Sequence, residues 1–96
     1  MRIVLRPVAF AELEDARIWY DKQRAGLGEE FVREADQALR HIREAPTSFP
    51  QVHGAIRRLL MRRFPYGIFF RDSDTEIVIL GIIHLRRDPR RWQGWG

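Results

Sequence analysis

Between Ile56 and Trp92 the chain reads IRRLLMRRFPYGIFFRDSDTEIVILGIIHLRRDPRRW, two apolar runs divided by a short polar segment. No other stretch restricts the possible folds so tightly. Phe64 to Phe70 is aromatic and Ile77 to Ile83 is almost wholly β-branched or leucine, side chains that fill a pleated, half-buried surface. Asp72, Ser73, Asp74 and Thr75 between them hydrogen-bond local backbone and start turns. The combination predicts an antiparallel hairpin. Setting Arg71 opposite Glu76 fixes an expected register: Tyr66 faces Gly81, Ile68 faces Ile79, Phe70 faces Ile77, Phe69 faces Val78, and Arg63 lies across from His84.

The residues before the hairpin predict the layer that covers it. Arg2 to Arg6 is a short strand ended by Pro7, which fixes φ and has no N–H to give a ladder. Ala9, Leu13, Ala16 and Tyr20, with Phe10 beside them, recur at helical spacing and predict a helix from Val8 to Lys22. Glu12, Glu14 and Asp15 are expected near its positive end. After a break at Arg24-Ala25-Gly26, the stripe Leu27, Phe31, Ala35, Ala38, Leu39 and Ile42 predicts a second helix from Leu27 to Ala45, stopped by Pro46. Glu29/Arg33 and Asp36/Arg40 are spaced as i,i+4 ion pairs on it. So short a break makes the two an antiparallel helical hairpin.

Pro46 to Ala55 reads as a loop, with Phe49 pinning it to the core and Gly54 turning it into the next strand. Ile56 to Arg63 is a strand of mixed pattern. Arg57, Leu59, Met61 and Arg63 fall on one side and Ile56, Arg58, Leu60 and Arg62 on the other, which suits an edge or a bulge. The expected fold is α+β in the order β-α-α-β-β-β. A helical hairpin packs on one face of a mostly antiparallel sheet, and the C-terminal tryptophans partly fill the other.

Ninety-six residues form one domain, 1–96, since a second core would not fit. There is no cysteine, hence no disulfide, thiolate ligand or cysteine nucleophile, and His41, His53 and His84 lack metal-ligand spacing. No metal and no cofactor are expected. No apolar run approaches the roughly 20 residues of a membrane helix, and no secretory h-region stands at the N-terminus, so a cytoplasmic protein is expected.

Charge is unevenly placed. Residues 1–45 carry eight basic and nine acidic side chains; residues 46–96 carry nine basic, all arginine, and four acidic. Such a half implies a polyanionic or acidic partner, because the guanidinium fork matches phosphate and carboxylate. Antiparallel geometry is expected to bring Arg57, Arg58, Arg62 and Arg63 to one rim with His84, Arg86, Arg87, Arg90 and Arg91. These residues and Trp92 are the candidate target-binding surface, weighed against a plain solvated face. His84 is either a structural strand-end residue or a general acid–base beside anion-stabilising arginines, although no carboxylate stands poised next to it. Asp88-Pro89 reads as a helix start carrying Arg90, Arg91 and Trp92. Trp92 is expected in the core, and Trp95 is either a core plug or an exposed anchor.

The order of elements, the RRFPYGIFFR segment, the apolar strand and the HLRRDPRRW tail together resemble the RelE/ParE superfamily of bacterial type II toxins, and within it the ParE-like, plasmid stabilization branch. The similarity spans nearly the whole chain. It implies a toxin held inactive by a cognate antitoxin whose C-terminal segment wraps it in a toxin–antitoxin hetero-oligomer. It further implies either poisoning of DNA gyrase, as in ParE-type members, or cleavage of messenger RNA on the ribosome, as in RelE-type members. For a ribonuclease, Arg63, Arg71 and His84 would be the catalytic candidates. The lysines of the RelE pattern, a Glu between Ile56 and Arg63 and a Tyr after the last strand are missing, which favours a binding toxin. A third expectation, from another class, is a non-toxic basic nucleic-acid-binding module.

Overall fold

Pro7 ends one element and opens the next. Arg2–Leu5 forms strand β1, and helix α1 (Pro7–Gln23) begins at the proline, whose fixed φ suits a first helical turn. The structure, a computed structural model, describes residues 1–87 and 90–95, the side chains of Trp92 and Gln93 excepted. Gly26 reverses the chain at φ 88°, a left-handed conformation costly for other residues, and α2 (Leu27–Glu44) follows. Gly28 then lets the helices touch: a Cβ there would lie 2.3 Å from the Arg17 carbonyl oxygen, and its N–H donates to Asp21 Oδ1 at 2.8 Å.

The remaining strands are β2 (Gln51–His53), β3 (Ile56–Leu60), β4 (Tyr66–Asp72) and β5 (Glu76–His84). They form one five-stranded sheet in the order β1-β5-β4-β3-β2, with β1 parallel to β5 and every other pairing antiparallel. The helical hairpin covers one face. Ala9, Leu13, Ala16 and Tyr20 of α1 and Phe31, Ala35, Ala38 and Ile42 of α2 bury against Leu59, Ile68, Phe70, Ile77, Ile79 and Ile82, with Leu27, Leu39 and Phe49 partly buried beside them. Tyr20, Phe31, Phe64 and Tyr66 form an aromatic cluster with centroid separations from 4.8 to 6.2 Å. On the other face Ile56, Phe69, Leu80 and Ile83 make a smaller core, closed by Val52, Val78, Leu85 and the Trp95 ring. Phe49 pins the loop as expected, its ring 5.9 Å from that of Phe70.

Several expectations need correction. The loop from Pro46 to Ala55 contains a strand, β2, turned tightly into β3 by Gly54 at φ 56°. Strand β3 stops at Leu60 instead of Arg63, because the chain must reverse: Met61 N–H donates to the Tyr66 carbonyl at 2.9 Å, and Tyr66 N–H donates to Phe64 O at 2.7 Å in a tight turn over Pro65. No acid stands in the first turn of α1, since Glu12 lies one turn further on. Phe10, beside the stripe, is 57% exposed. The Glu29–Arg33 pair forms at 3.2 Å, whereas no Asp36–Arg40 pair occurs among the described residues.

The hairpin register also differs from expectation. Ser73 N–H and Oγ both donate to the Glu76 carbonyl, at 2.9 and 3.1 Å, so Asp72 pairs with Ile77 and Arg71 with Val78. Glu76 holds Arg2 instead, at 3.1 Å. Phe70 faces Ile79, but Phe69 faces Gly81, Ile68 faces Ile82 and Tyr66 faces His84. The jump between Phe69 and Phe70 leaves Leu80 as an extra residue, a β-bulge. Ile77, Ile79 and Ile82 therefore share the helix-covered face, while Leu80 and Ile83 share the other. Tyr66, and not Arg63, lies across from His84.

Candidate functional site

Strand β1 is much shorter than β5, its partner along this edge, and its pairing ends with Leu5 opposite Ile79. Beyond that point side chains finish the edge. Arg6 donates from Nε and Nη2 to the Leu80 carbonyl at 3.2 and 2.9 Å, and Glu12 Oε1 accepts the Ile82 N–H at 2.9 Å. Arg91 pairs with the second carboxylate oxygen of Glu12, which ties the C-terminal 3-10 helix (Arg91–Trp95) back to α1. Between α1 and this end of β5 lies a cavity of about 310 Å³, lined among others by Asp15, Trp19, Tyr66, His84, Arg87 and Arg91.

His84 ends β5 on the helix-covered side, edge-on to the Tyr66 ring at 5.1 Å. Its Nδ1 accepts the backbone N–H of both Arg86 and Arg87, each at 3.1 Å. Two donors on Nδ1 require a lone pair there, so the ring carries its proton on Nε2. This imidazole shapes the first turn of the tail. Arg87 then reaches back to give Tyr66 Oη a hydrogen bond of 2.8 Å. Desolvation, followed by the nearby Tyr66 phenol, raises the pKa of the neighbouring Tyr20 phenol above its ordinary 10.0, against a smaller opposing influence of Arg87.

The expected single rim of arginines divides in the structure. Arg62 and Arg63 lie at the end of the sheet where β5 terminates, but Arg57 and Arg58 sit mid-sheet, opposite Phe70 and Phe69. Parity along the chain sorts them further. Arg57 points to the helix side, where Nε meets Asp72 Oδ1 at 3.0 Å and Nη1 meets Phe49 O at 2.8 Å. Arg63 is held by Glu30 at 3.0 Å and covers the Phe64 ring. Glu34 takes the backbone N–H groups of Arg62 and Arg63, at 2.8 and 3.4 Å. Arg58 and Arg62 differ: neither guanidinium has a carboxylate partner among the described residues, and Arg58 Nε is buried without an acceptor there.

The three ribonuclease candidates are not brought together. Arg71 pairs with Val78 near the hairpin turn, six residues from His84 along β5, or roughly 20 Å at strand rise. Arg63 turns to α2 and His84 to α1. Arg86 and Arg90 are exposed. The Asp88-Pro89 helix start lies outside the described residues, as does the Trp92 side chain. Trp95 is a plug on the second face: its ring lies 6.3 Å from Phe69 and 5.1 Å from the Arg6 guanidinium, and a Cβ on Gly81 would lie 2.4 Å from it.

Arg6, Glu12, Trp19 and Tyr66 escaped the sequence reading as site residues. One signal was available. Val8, Phe10, Ile18 and Trp19 leave α1 apolar on more than its core face, and all four are exposed, the pattern of a helix with a second surface to cover. Among the described residues no group of three His, Asp or Glu side chains could hold a metal ion, and no helix is long and apolar enough to cross a membrane.

No protein-family model and no curated protein matches the chain. A solved structure does: a chain of the chromosomal ParDE TA system from P. aeruginosa superposes with a TM-score of 0.78 at 20% identity, covering 88% of this chain and 95% of that one. The two share one fold, an α+β domain with two helices on a five-stranded mixed sheet, which is the architecture that the RelE/ParE resemblance implied.

Proposed function

We propose that the protein is the toxin of a type II toxin–antitoxin module, ParE-like, neutralised by a cognate antitoxin and acting by binding DNA gyrase so that replication stops. The observation that supports a toxin most is the fold held in common with a ParDE TA chain over nearly the full length of both. The scattering of Arg63, Arg71 and His84 favours a binder over a ribonuclease, because acid–base catalysis requires its groups within hydrogen-bond reach of one substrate. The contact surface in this reading is the open sheet face with Arg58, the exposed Arg62 beside α2, and the tail arginines Arg86 and Arg90. Arg57, Arg63, Arg87 and Arg91 hold the frame, each engaged by Asp72, Glu30, Tyr66 or Glu12.

Induction of the protein in growing cells, with DNA breakage and protein synthesis followed in parallel, tests this reading. DNA damage should come first, and purified gyrase should lose supercoiling activity when the protein is added. Loss of translation first, with cleaved messenger RNA, would replace the proposal with the RelE-type ribosome-dependent endoribonuclease. Neither effect, with salt-sensitive nucleic-acid binding alone, would replace it with a non-toxic binding module. Arg86→Glu with Arg90→Glu should remove gyrase inhibition without unfolding the chain, since both side chains are exposed.

A further inference from the structure

The cavity beside His84 has walls of opposite chemistry. Glu12, Asp15 and Trp19 stand at i, i+3 and i+7, one stripe of α1 turned toward the end of β5. Arg87 and Arg91 enter from the C-terminal tail, with Tyr66 and Ile82 between the two walls. The other acids of α1 are engaged: Glu14 and Asp21 hold Arg17, and Glu12 holds Arg91 and the Ile82 N–H. Asp15 has no ion pair or hydrogen bond among the described residues. Arg87 meets the Tyr66 phenol at 2.8 Å and no carboxylate there. Trp19 is 48% exposed, its ring braced nearly at right angles to Tyr20 with centroids 5.0 Å apart. At about 310 Å³ the space reaches the lower end of ligand cavities, roughly 300–1,000 Å³.

We propose that this cavity is a binding site for a guanine mononucleotide, held with its base on the α1 wall and its phosphate on the tail. Trp19 offers an aromatic face on which a base stacks. Asp15 selects the base, because a carboxylate accepts hydrogen bonds and gives none. Guanine presents N1–H and N2–H side by side to such a group, whereas adenine presents N1 as an acceptor. The charge of Glu12 is already offset by Arg91, so Arg87 is the principal phosphate contact. Its guanidinium gives one N–H to Tyr66 Oη and keeps the others of its five donors for an anion. Single exposed aromatics and acids are ordinary on a helix surface. Here an unpaired acid, an aromatic face and a cation without a carboxylate line one cavity, and Asp15 and Arg87 do not pair with each other. A zwitterionic amino acid would span the same two charges but fill less of the space, so arginine is the rival ligand. The site does not rest on the toxin reading, since it uses none of Arg58, Arg62, Arg86 and Arg90.

Calorimetric titration of the full chain at about 0.15 M salt tests the site with guanosine monophosphate, adenosine monophosphate, guanosine, inorganic phosphate and free arginine. Guanosine monophosphate should bind with a Kd below about 1 mM, and each of the other four should be weaker by roughly tenfold or more. Asp15→Asn alters an exposed side chain that has no bond to lose, so the fold should stand. In that variant guanosine monophosphate should weaken by roughly tenfold while adenosine monophosphate does not. Trp19→Ala should weaken both mononucleotides alike, and Arg87→Gln should bring guanosine monophosphate down to the level of guanosine. Four results would each overturn the proposal: no binding up to about 10 mM, equal affinity for the two bases, phosphate or arginine bound as tightly as guanosine monophosphate, or an Asp15→Asn variant that still prefers guanine. So would a guanine-containing RNA trinucleotide bound more than about tenfold tighter than the mononucleotide, because the cavity would then be one stop along a nucleic-acid strand.

Discussion

Glu12 and Ile82 are 70 residues apart and joined by one hydrogen bond of 2.9 Å, from the Ile82 N–H to Glu12 Oε1, which closes the sheet edge that β1 is too short to reach. The same carboxylate holds Arg91. Glu12→Ala should leave a partly buried amide without its acceptor and destabilise the fold by about 1–3 kcal/mol, read from urea unfolding. Glu12→Gln keeps an acceptor for the amide and loses the ion pair, so it should cost less. Its main effect should be a change in Trp95 fluorescence as the tail loosens. Equal losses in the two variants would mean that the Arg91 contact, and not the edge amide, carries the effect.

His84 is read here as a backbone acceptor, and that reading separates three substitutions. His84→Asn places a carboxamide oxygen where Nδ1 accepts from Arg86 and Arg87, in the manner of an Asx turn, and should remain close to the parent in stability. His84→Ala should lose about 0.5–1.5 kcal/mol for each of the two bonds. His84→Gln should leave toxicity nearly intact in cells. A ribonuclease that used His84 would instead lose cleavage by about 10²–10⁴-fold in every one of these variants.

Phe31 is fully buried against Tyr20, Phe64 and Tyr66. Phe31→Ala should cost about 3–5 kcal/mol, a large share of the roughly 5–15 kcal/mol available to a domain. With a melting shift of about 4–8 °C per kcal/mol at this size, calorimetry should show a fall of tens of degrees or no folded state. Phe31→Leu should recover more than half of the loss.

Glu30 gives the fold a pH dependence whose sign is fixed by its partners. Its hydrogen bond from Arg63, with the Arg24 and Arg63 charges, lowers its pKa below the ordinary 4.5 against a smaller opposing desolvation. A carboxylate depressed in the folded state contributes stability that is present above pH 4.5 and disappears as pH falls through the lower folded value. Acid unfolding should therefore start at a higher pH in the parent than Glu30 alone would set, since other carboxylates add to the slope. Glu30→Gln should flatten the stability–pH profile below pH 4.5 and leave the slope at pH 6–8 unchanged. An unaltered acid limb would place the dependence on other groups.

The helices were legible because their apolar stripes repeat at 3.6 residues and because Pro7, Gly26 and Pro46 punctuate them. Boundaries at Pro7 and Leu27 follow from local chemistry alone. The parity of Ile56 to Leu60 was also legible, and it separates Arg57, tied to Asp72 on the helix side, from Arg58 on the other face. The hairpin register was not. Ile77 to Ile83 is apolar on both faces, so the run carries no alternation from which a bulge could be read. Strand β2 was hidden for a different reason: Gln51, Val52 and His53 have little strand character and pair because β3 offers them an edge. The site suffered most, since the positions of His84, Arg63 and Arg71 all followed from the assumed register.

The bulge at Leu80 works as a change of frame. Residues before it read odd to the helices, Ile77 and Ile79; residues after it read even, Ile82 and His84. Were β5 paired in plain alternation with Leu80 kept, the same letters would turn His84 to the opposite side of the sheet, onto the surface that carries Arg58. An imidazole among unpaired guanidiniums is equipment for cleaving phosphodiesters, whereas an imidazole folded under α1 is a hinge pin for a tail. A single bulged leucine thus divides two chemistries, and loss of the bulge with Leu80 retained, more than any substitution of the histidine itself, is the change by which this surface would pass from holding a target to cutting one.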